Sequence, residues 1–457
     1  MAKVMSEMLS REQLLSQQWL QLKDLLRRIY DQDSLYARKL KSAGIALEHI
    51  QSLADFQRLV PTSDKAELLA DQTESPPYGR RLIGKDNVAF SFLTSGTSGK
   101  GQEVHAYSFQ DYENLLDSWA KHLNWTGIKP GDTAYLMMPV GTTVGPISLM
   151  MAFYAYGLQT FNVGHLDGVE RLQMMRRFKP NFFTTSPLYL RRFSNICREM
   201  GIDPRKEFPD LKAIKLGTFT YDMPWAKEME AFWGCKLSDI YASTQAGAGI
   251  ATTCEQGVCR TDGTPSIMHF LEDKAVFEVV DPVTGLNAKD GEEGEVIVTT
   301  FRTAMPLLRF RTGDRVRFRG SSSCGCGRPF AGIEVGSVSR YDSMIKIRGM
   351  NLWPESVDSV VFKHPEIEEY NGRVTVDSLG RESVELLLAF RAALTADEGQ
   401  LKRIASEIEF EVKALTNVGM KAVAVDPVVL EKFVYKGSRW KDMRSASGNS
   451  QNKETRI

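Results

Sequence analysis

The 457-residue chain is longer than one ordinary compact core, so two or more domains are expected. Hydrophobic residues make up 42% and charged residues 25%, which excludes a disordered or fibrous chain. Lys plus Arg equals Asp plus Glu at 57 each, so the charge balance gives no reason to expect nucleic acid or an anionic membrane as partner.

The opening MAKVMSEMLSREQ lacks the apolar core of a secretory signal and carries Glu7 and Glu12. No run of about 20 apolar residues occurs, so no membrane span is expected. A cytoplasmic location follows as the expectation. The six Cys then point to metal binding or burial rather than to disulfides.

Residues 1–60 read as helices: LSREQLLSQQWLQLKDLLRRIY repeats apolar positions at three and four, the pattern of an amphipathic helix capping a larger domain. Pro61-Thr62-Ser63-Asp64-Lys65 breaks that region and starts another short helix. From Val88 to about Asp239, the β-rich runs AFSFLT, TAYLMMP, LQTFNV, FFTTS and AIKLGTF alternate with helical stretches such as FQDYENLLDSWAKHL and GVERLQMMRRF. That alternation predicts an α/β domain with largely parallel strands. AVFEVVD, GEVIVTTF and RVRFR, separated by turn residues, predict a β-rich subdomain over 270–319. Beyond Tyr341, MIKIRGM, a helix from Pro354 to His364, RVTVDS, ELLLAFR, a helix over 396–416 and KAVAVD predict a small α+β domain. The polar end SASGNSQNKETRI reads as disordered.

Thr94-Ser95-Gly96-Thr97-Ser98-Gly99-Lys100-Gly101 follows the predicted strand AFSFL. Glycines let a backbone wrap a polyphosphate with its N–H groups inward, the hydroxyls add donors and Lys100 adds charge. The glycine spacing differs from that of a P-loop, and no Lys-Ser/Thr pair is present. A plain Gly/Ser surface loop is the competing reading of this stretch alone.

Other segments follow in order: Tyr241-Ala242-Ser243-Thr244-Gln245 after the strand LSDI, Phe310-Arg311-Thr312-Gly313-Asp314 ending another strand, Arg340-Tyr341-Asp342 before Ile345-Lys346-Ile347-Arg348-Gly349, and Lys436-Gly437-Ser438-Arg439 near the end. The series resembles the adenylate-forming superfamily of acyl-CoA synthetases, peptide-synthetase adenylation domains and luciferases. With PTSDKAELL, GIDPRK, DMPWAKEME, SDIYASTQ and CGCGRPF, it looks most like the phenylacetate-CoA ligase branch, over nearly the whole chain.

The resemblance implies a large N-terminal domain, 1–341, a small mobile C-terminal domain, 342–445, and a tail, 446–457. It implies an ATP-dependent, AMP-forming ligase acting on a small aryl or arylacetic acid, with coenzyme A as acceptor; a carrier-protein thiol or an amine is the alternative acceptor. Ser95, Gly96, Thr97, Ser98, Gly99 and Lys100 would hold the β- and γ-phosphates. Tyr241 would lie beside adenine, with Ala242 and Ser243 in the same binding segment, and Gly217 would form a wall of that pocket. Thr244 would act near the α-phosphate, Asp314 would bind the ribose hydroxyls and Arg340 would reach ribose or phosphate. Lys436 would bridge carboxylate and α-phosphate, with Lys441 and Lys432 as rivals. Asp342 would be the hinge, and Pro139 to Pro146 would line the acid pocket. The family usually has Glu where Gln245 stands, as a ligand of the Mg²⁺ that ATP brings; an amide oxygen can ligate a hard cation but brings no charge. A homodimer is left open.

Cys324-Gly325-Cys326-Gly327 is a tight thiol pair, with Cys254, Cys259 and His269 in the preceding region. Four S and N ligands make a closed structural zinc site. The branch implies Cys254, His269, Cys324 and Cys326 as that set, with Cys259 able to replace His269. Cys197 and Cys235 read as buried, and His105 and His165 as structural.

Overall fold

The computed structural model describes residues 9–94, 101–217, 221–377, 380–391, 398–430 and 439–444. The phosphate-loop residues Ser95 to Lys100, and Lys432 and Lys436, lie outside them. The chain divides into two compact units, Met1–Ser339 and Arg340–Ile457.

In the first unit, the helix Arg11–Tyr30 begins at Ser10, whose hydroxyl accepts from the Gln13 N–H while the Gln13 side chain accepts from the Ser10 N–H. This reciprocal pair satisfies two of the donors that a helix start leaves open. Leu14, Gln18, Leu22, Leu25, Leu26 and Ile29 form its buried stripe. The Gln18 amide donates to the carbonyls of Glu272 (2.7 Å) and Ala275 (2.9 Å), so the helix is fastened to the body of the unit.

Five parallel strands form one sheet in the order Gln159–Asn162, Thr133–Leu136, Phe182–Thr184, Ala213–Lys215, Lys236–Ser238. Side chains alternate across a strand, and both faces are filled. Tyr135, Phe183 and Ile214 pack with Leu172, Met175, Phe193 and Trp233 on one side. Ala134, Leu136, Phe182 and Ala213 pack with Trp119, Leu123, Leu149 and Phe153 on the other. The helix Gly168–Phe178 has the bounds its sequence pattern predicts; Asp167 caps it with Glu170 in return.

A second sheet is antiparallel along the path Ala275–Val280, Glu293–Thr300, Phe310–Arg319, Gly332–Glu334, Ile267–Phe270, Gly247–Thr253, Ile240–Ser243. Two local expectations change here. Tyr241 to Ser243 follow the strand Lys236–Ser238 but lie inside a further strand, and Phe310 to Asp314 open their strand rather than end it. The reason is pairing: Tyr241 stands opposite Ala251, and Phe310 opposite Val298, partners that no local pattern reveals. A third change concerns Val88–Leu93, which pairs antiparallel with Val104–Ser108 as a separate two-stranded sheet instead of joining the parallel one.

The second unit has its own core, including Ile347, Leu352, Val357, Tyr370, Leu386, Leu388, Ile408 and Trp440. Its sheet runs Lys421–Val425, Glu382–Phe390, Ile367–Val376, Trp440–Asp442, and the hairpin of Ile345–Ile347 with Met350–Leu352 and the helices Pro354–Val361 and Glu398–Thr416 also contribute to that core. Among the described residues, no helix is long and apolar enough to cross a membrane.

Candidate nucleotide site and metal cluster

The hairpin of Val88–Leu93 and Val104–Ser108 is closed at its open end by Thr94 and Glu103. The Thr94 N–H donates to the Glu103 carbonyl (3.0 Å), and the Glu103 N–H donates to the Thr94 hydroxyl (2.9 Å). The glycine-rich segment therefore leaves and returns at one fixed point. The Leu93 N–H also donates to the Thr142 carbonyl (3.2 Å), which ties the segment Pro139 to Pro146 to this hairpin.

The strand Ile240–Ser243 is joined to the strand Phe310–Arg319 through side chains: the buried Tyr241 hydroxyl donates to Asp314 Oδ2 at 2.5 Å. Asp314 is further set by its own N–H, which donates to the Thr312 hydroxyl (3.1 Å). Gly217 lies beside this strand, because a Cβ there would stand 3.6 Å from the Ile240 carbonyl oxygen. Where the strand ends, the Thr244 carbonyl accepts from the Tyr107 hydroxyl (3.5 Å), and the Gln245 carbonyl accepts from the Arg302 guanidinium. Arg302 also lies over the Tyr107 ring, 4.7 Å from its centroid, a cation–π contact. The Gln245 side chain is held at both ends: Oε1 accepts from the Ser243 hydroxyl (3.0 Å), and Nε2 donates to Glu103 Oε2 (2.8 Å).

Behind Glu103 is His105, fully buried, with Nε2 3.6 Å from the carboxylate. Burial pushes its pKa down to about 4 against the pull of Glu103, so the ring is neutral at pH 7.

The second cluster uses the antiparallel sheet. His269 pairs with Thr252 on one side and Gly332 on the other, and Cys254 follows directly after Thr253. Cys324 and Cys326 lie in the turn between Phe310–Arg319 and Gly332–Glu334. The ligand atoms of Cys254, His269, Cys324 and Cys326 all lie within 4.8 Å of one another. The Cys254 and Cys324 sulfurs are 3.8 Å apart, and Cys326 Sγ is 3.5 Å from His269 Nε2. His269 Nδ1 is 3.2 Å from the Phe330 carbonyl, which fixes the ring and leaves Nε2 facing the thiols. Cys259 is elsewhere, with its sulfur 3.5 Å from Met223 Sδ. Leu14, Trp125, Ile267, Leu271 and Phe330 pack around the cluster, so the first helix, the helix Phe109–Trp125 and the sheet all meet there.

Residues 31–305 match the family described as AMP-binding enzyme. The chain belongs to that family. It is 27% identical over 447 residues to a phenylacetate-coenzyme A ligase of Aromatoleum evansii, covering 96% of each chain. It is 29% identical over 364 residues to a phenylacetate-coenzyme A ligase of Thermus thermophilus, covering 79% of this chain and 78% of that one. In fold it is similar to 2-hydroxyisobutyryl-CoA ligase crystallised in a postadenylation state with 2-HIB-AMP: TM-score 0.85, 21% identity, 96% of this chain and 92% of that chain covered. Within the adenylate-forming superfamily, the chain is phenylacetate-CoA ligase-like.

In this AMP-binding enzyme the first unit brings Gly217, Tyr241, Ala242, Ser243, Thr244, Gln245 and Asp314 together across three strands or strand ends. Arg340 is exposed and opens the second unit. Cys197 is fully buried as expected, whereas Cys235 is only half-buried. Glu103, Tyr107 and Arg302 also hold the site, and no sequence pattern marks them, because each is a lone residue whose partner is distant in the chain.

No sequence pattern marks Lys215 either. It ends the strand Ala213–Lys215 and is 3% exposed, with Nζ 5.4 Å from the Trp119 ring centroid. Burial pulls its pKa from 10.5 down to about 8, with Asp239 acting in the opposite sense. Below about pH 8 both folded and unfolded chains carry the charge, so its burial cost is fully present. The cost fades as pH rises toward 10.5, where both forms lose the proton. Lys215→Met is therefore expected to raise stability at pH 7 by up to about 3 kcal/mol, at about 1.4 kcal/mol per pKa unit. The gain should shrink by pH 10. Urea midpoints at the two pH values test this; a midpoint unchanged or lowered at pH 7 would remove the burial cost from the account.

Proposed function

We propose that this protein is an ATP-dependent, AMP-forming ligase for a small aryl or arylacetic acid, with coenzyme A as acceptor. The carboxylate oxygen attacks the α-phosphorus of ATP, and pyrophosphate leaves with the bonding electron pair. The thiolate of coenzyme A then attacks the acyl carbon, and AMP leaves. The first step turns a poor leaving group into a good one; the protein's part is to position anions and offset their charge.

The observation that carries this reading is the bond from Tyr241 to Asp314. It couples an aromatic face for adenine to a carboxylate for the ribose hydroxyls, on the strand whose end abuts the base of the glycine-rich segment. In this reading Gly217 forms the wall of that pocket, Ala242 and Ser243 complete the adenine segment, and Thr244 faces the α-phosphate. Ser95 to Lys100 hold the outer phosphates, Arg340 reaches ribose or phosphate, and Lys436 bridges the reacting groups. The phenylacetate-CoA ligases matched over most of their length support the aryl class of acid. ATP arrives with Mg²⁺, which neutralises phosphate charge. Supplies of ATP and coenzyme A put the reaction in the cytoplasm, and a homodimer is the oligomer to test by gel filtration.

The four-ligand cluster is read as a structural zinc site: all S and N donors, no open position from a carboxylate, and an oriented histidine.

Exchange of labelled pyrophosphate into ATP, across a panel of acids including phenylacetate, tests the first step without assuming the acceptor. Acid-dependent exchange is expected, followed by thioester formation when coenzyme A is added. No exchange with any aryl or arylacetic acid overturns the substrate class. Exchange without consumption of coenzyme A moves the acceptor to a carrier-protein thiol or an amine.

A further inference from the structure

We propose that Glu103 supplies the carboxylate for the divalent cation that accompanies ATP, in place of the charge that Gln245 lacks. This rests on the ATP-dependent reading above.

Mg²⁺ bound with a nucleotide takes one or two carboxylates besides phosphate oxygens and water. Gln245 offers a neutral amide, and its geometry turns that amide away from the task. Only its NH₂ can face a carboxylate, so the 2.8 Å bond to Glu103 fixes the amide direction and leaves the oxygen with the Ser243 hydroxyl at 3.0 Å. Where the family pattern has a carboxylate after Thr244, this chain places one immediately beside that position, from the residue that precedes the strand Val104–Ser108.

Glu103 is also well placed along the chain. Its backbone closes the hairpin with Thr94, so its carboxylate sits at the base of the segment that would hold the phosphates. Glu103 is fully buried, and among the described residues its Oε1 has no hydrogen-bond partner. A buried carboxylate oxygen with no partner is costly, and a cation would satisfy it. Among the described residues its ion contact is His105 at 3.6 Å, while Nε of the nearby buried Arg81 lies 4.0 Å from Asp71. The Arg81 guanidinium attracts the Glu103 carboxylate through charge, but no hydrogen bond joins the two side chains among the described residues.

A merely positioning role for Glu103 makes a different prediction. Glu103→Gln can still accept the Gln245 bond through its amide oxygen, so it removes charge while keeping the contact. Calorimetric titration of ATP at a series of Mg²⁺ concentrations separates the two roles without any turnover. Wild type is expected to bind ATP more tightly as Mg²⁺ rises. In Glu103→Gln, the Mg²⁺ concentration for half the effect should rise roughly tenfold or more, the scale of loss when a metal site is disturbed. The exchange Glu103→Gln with Gln245→Glu should restore it by returning the charge to the neighbouring position. Gln245→Glu alone sets two carboxylates against each other, so its thermal midpoint should fall without Mg²⁺ and rise with Mg²⁺ more than in wild type. This last measurement decides the matter if Glu103→Gln does not fold. If wild type does not bind ATP, the ATP-dependent reading fails. If wild type binds and responds to Mg²⁺ while Glu103→Gln responds equally, or if Gln245→Glu gains no extra Mg²⁺ response, Glu103 is not the cation's carboxylate.

Discussion

Cys324→Ser is expected to release close to one zinc per chain and to lower the thermal midpoint by about 10 °C. The estimate comes from linkage: a ligand present at a thousand times its Kd stabilises the fold by about 4 kcal/mol, and each kcal/mol moves the midpoint of a domain of this class by roughly 2–4 °C. Structural zinc contributes folding energy rather than chemistry, so the variant should retain ATP binding at temperatures where it is folded. The effect should be large because the cluster fastens three segments. Leu14 from the first helix and Trp125 from the end of another pack on the same cysteines, and Arg328 lies over the Trp125 ring at 4.5 Å from its centroid. His269→Ala should lose metal and Cys259→Ala should keep it, since Cys259 faces Met223 instead. Elemental analysis of protein purified without chelator, with melting curves, gives the answer. Metal-free wild type would end the zinc reading.

How far the sequence reveals this site depends on whether its residues act in runs or alone. Helices such as Gly168–Phe178 are legible because cap, apolar period and stop lie in one short stretch. The central parallel strands Thr133–Leu136 and Phe182–Thr184 are legible because burial on both faces makes them largely apolar. Lys215 is the exception: it is charged, yet it is buried in the strand Ala213–Lys215 beside the Trp119 ring. The cysteine cluster is half legible. The CGCG turn marks it, but spacing cannot choose between His269 and Cys259; the sheet register, which sets His269 beside Thr252 and Gly332, makes the choice. Glu103 could not be found at all, because its meaning depends on Gln245, 142 positions away. The absence of a Glu at 245 was visible, and the place of its replacement was not.

The other large effect expected is on the adenylation step. Lys436→Ala should slow it by about 10²–10³, the loss typical when one preorganised charge contact is removed. Thioester formation from a supplied acyl-adenylate should be largely spared, because a lysine in the proposed bridging role is needed only while the carboxylate and the α-phosphate are both anionic. Lys436 lies outside the described residues, but the chain shortly after it is firmly anchored. Arg439 is bonded to Glu369 (2.6 Å) and lies 3.4 Å from Asp358, and Trp440 donates to the Tyr370 hydroxyl (3.3 Å). The Trp440 ring packs so closely on Gly372 that a Cβ there would meet it at 2.4 Å. Lys441 is exposed, in a strand paired with Ile367–Val376. Single-turnover rates of pyrophosphate release and of thioester formation, measured on Lys436→Ala, Lys441→Ala and Lys432→Ala, separate the candidates. Equal loss in both half-reactions would remove the bridging role, and a normal Lys436→Ala beside a slow Lys441→Ala or Lys432→Ala would move it to that lysine.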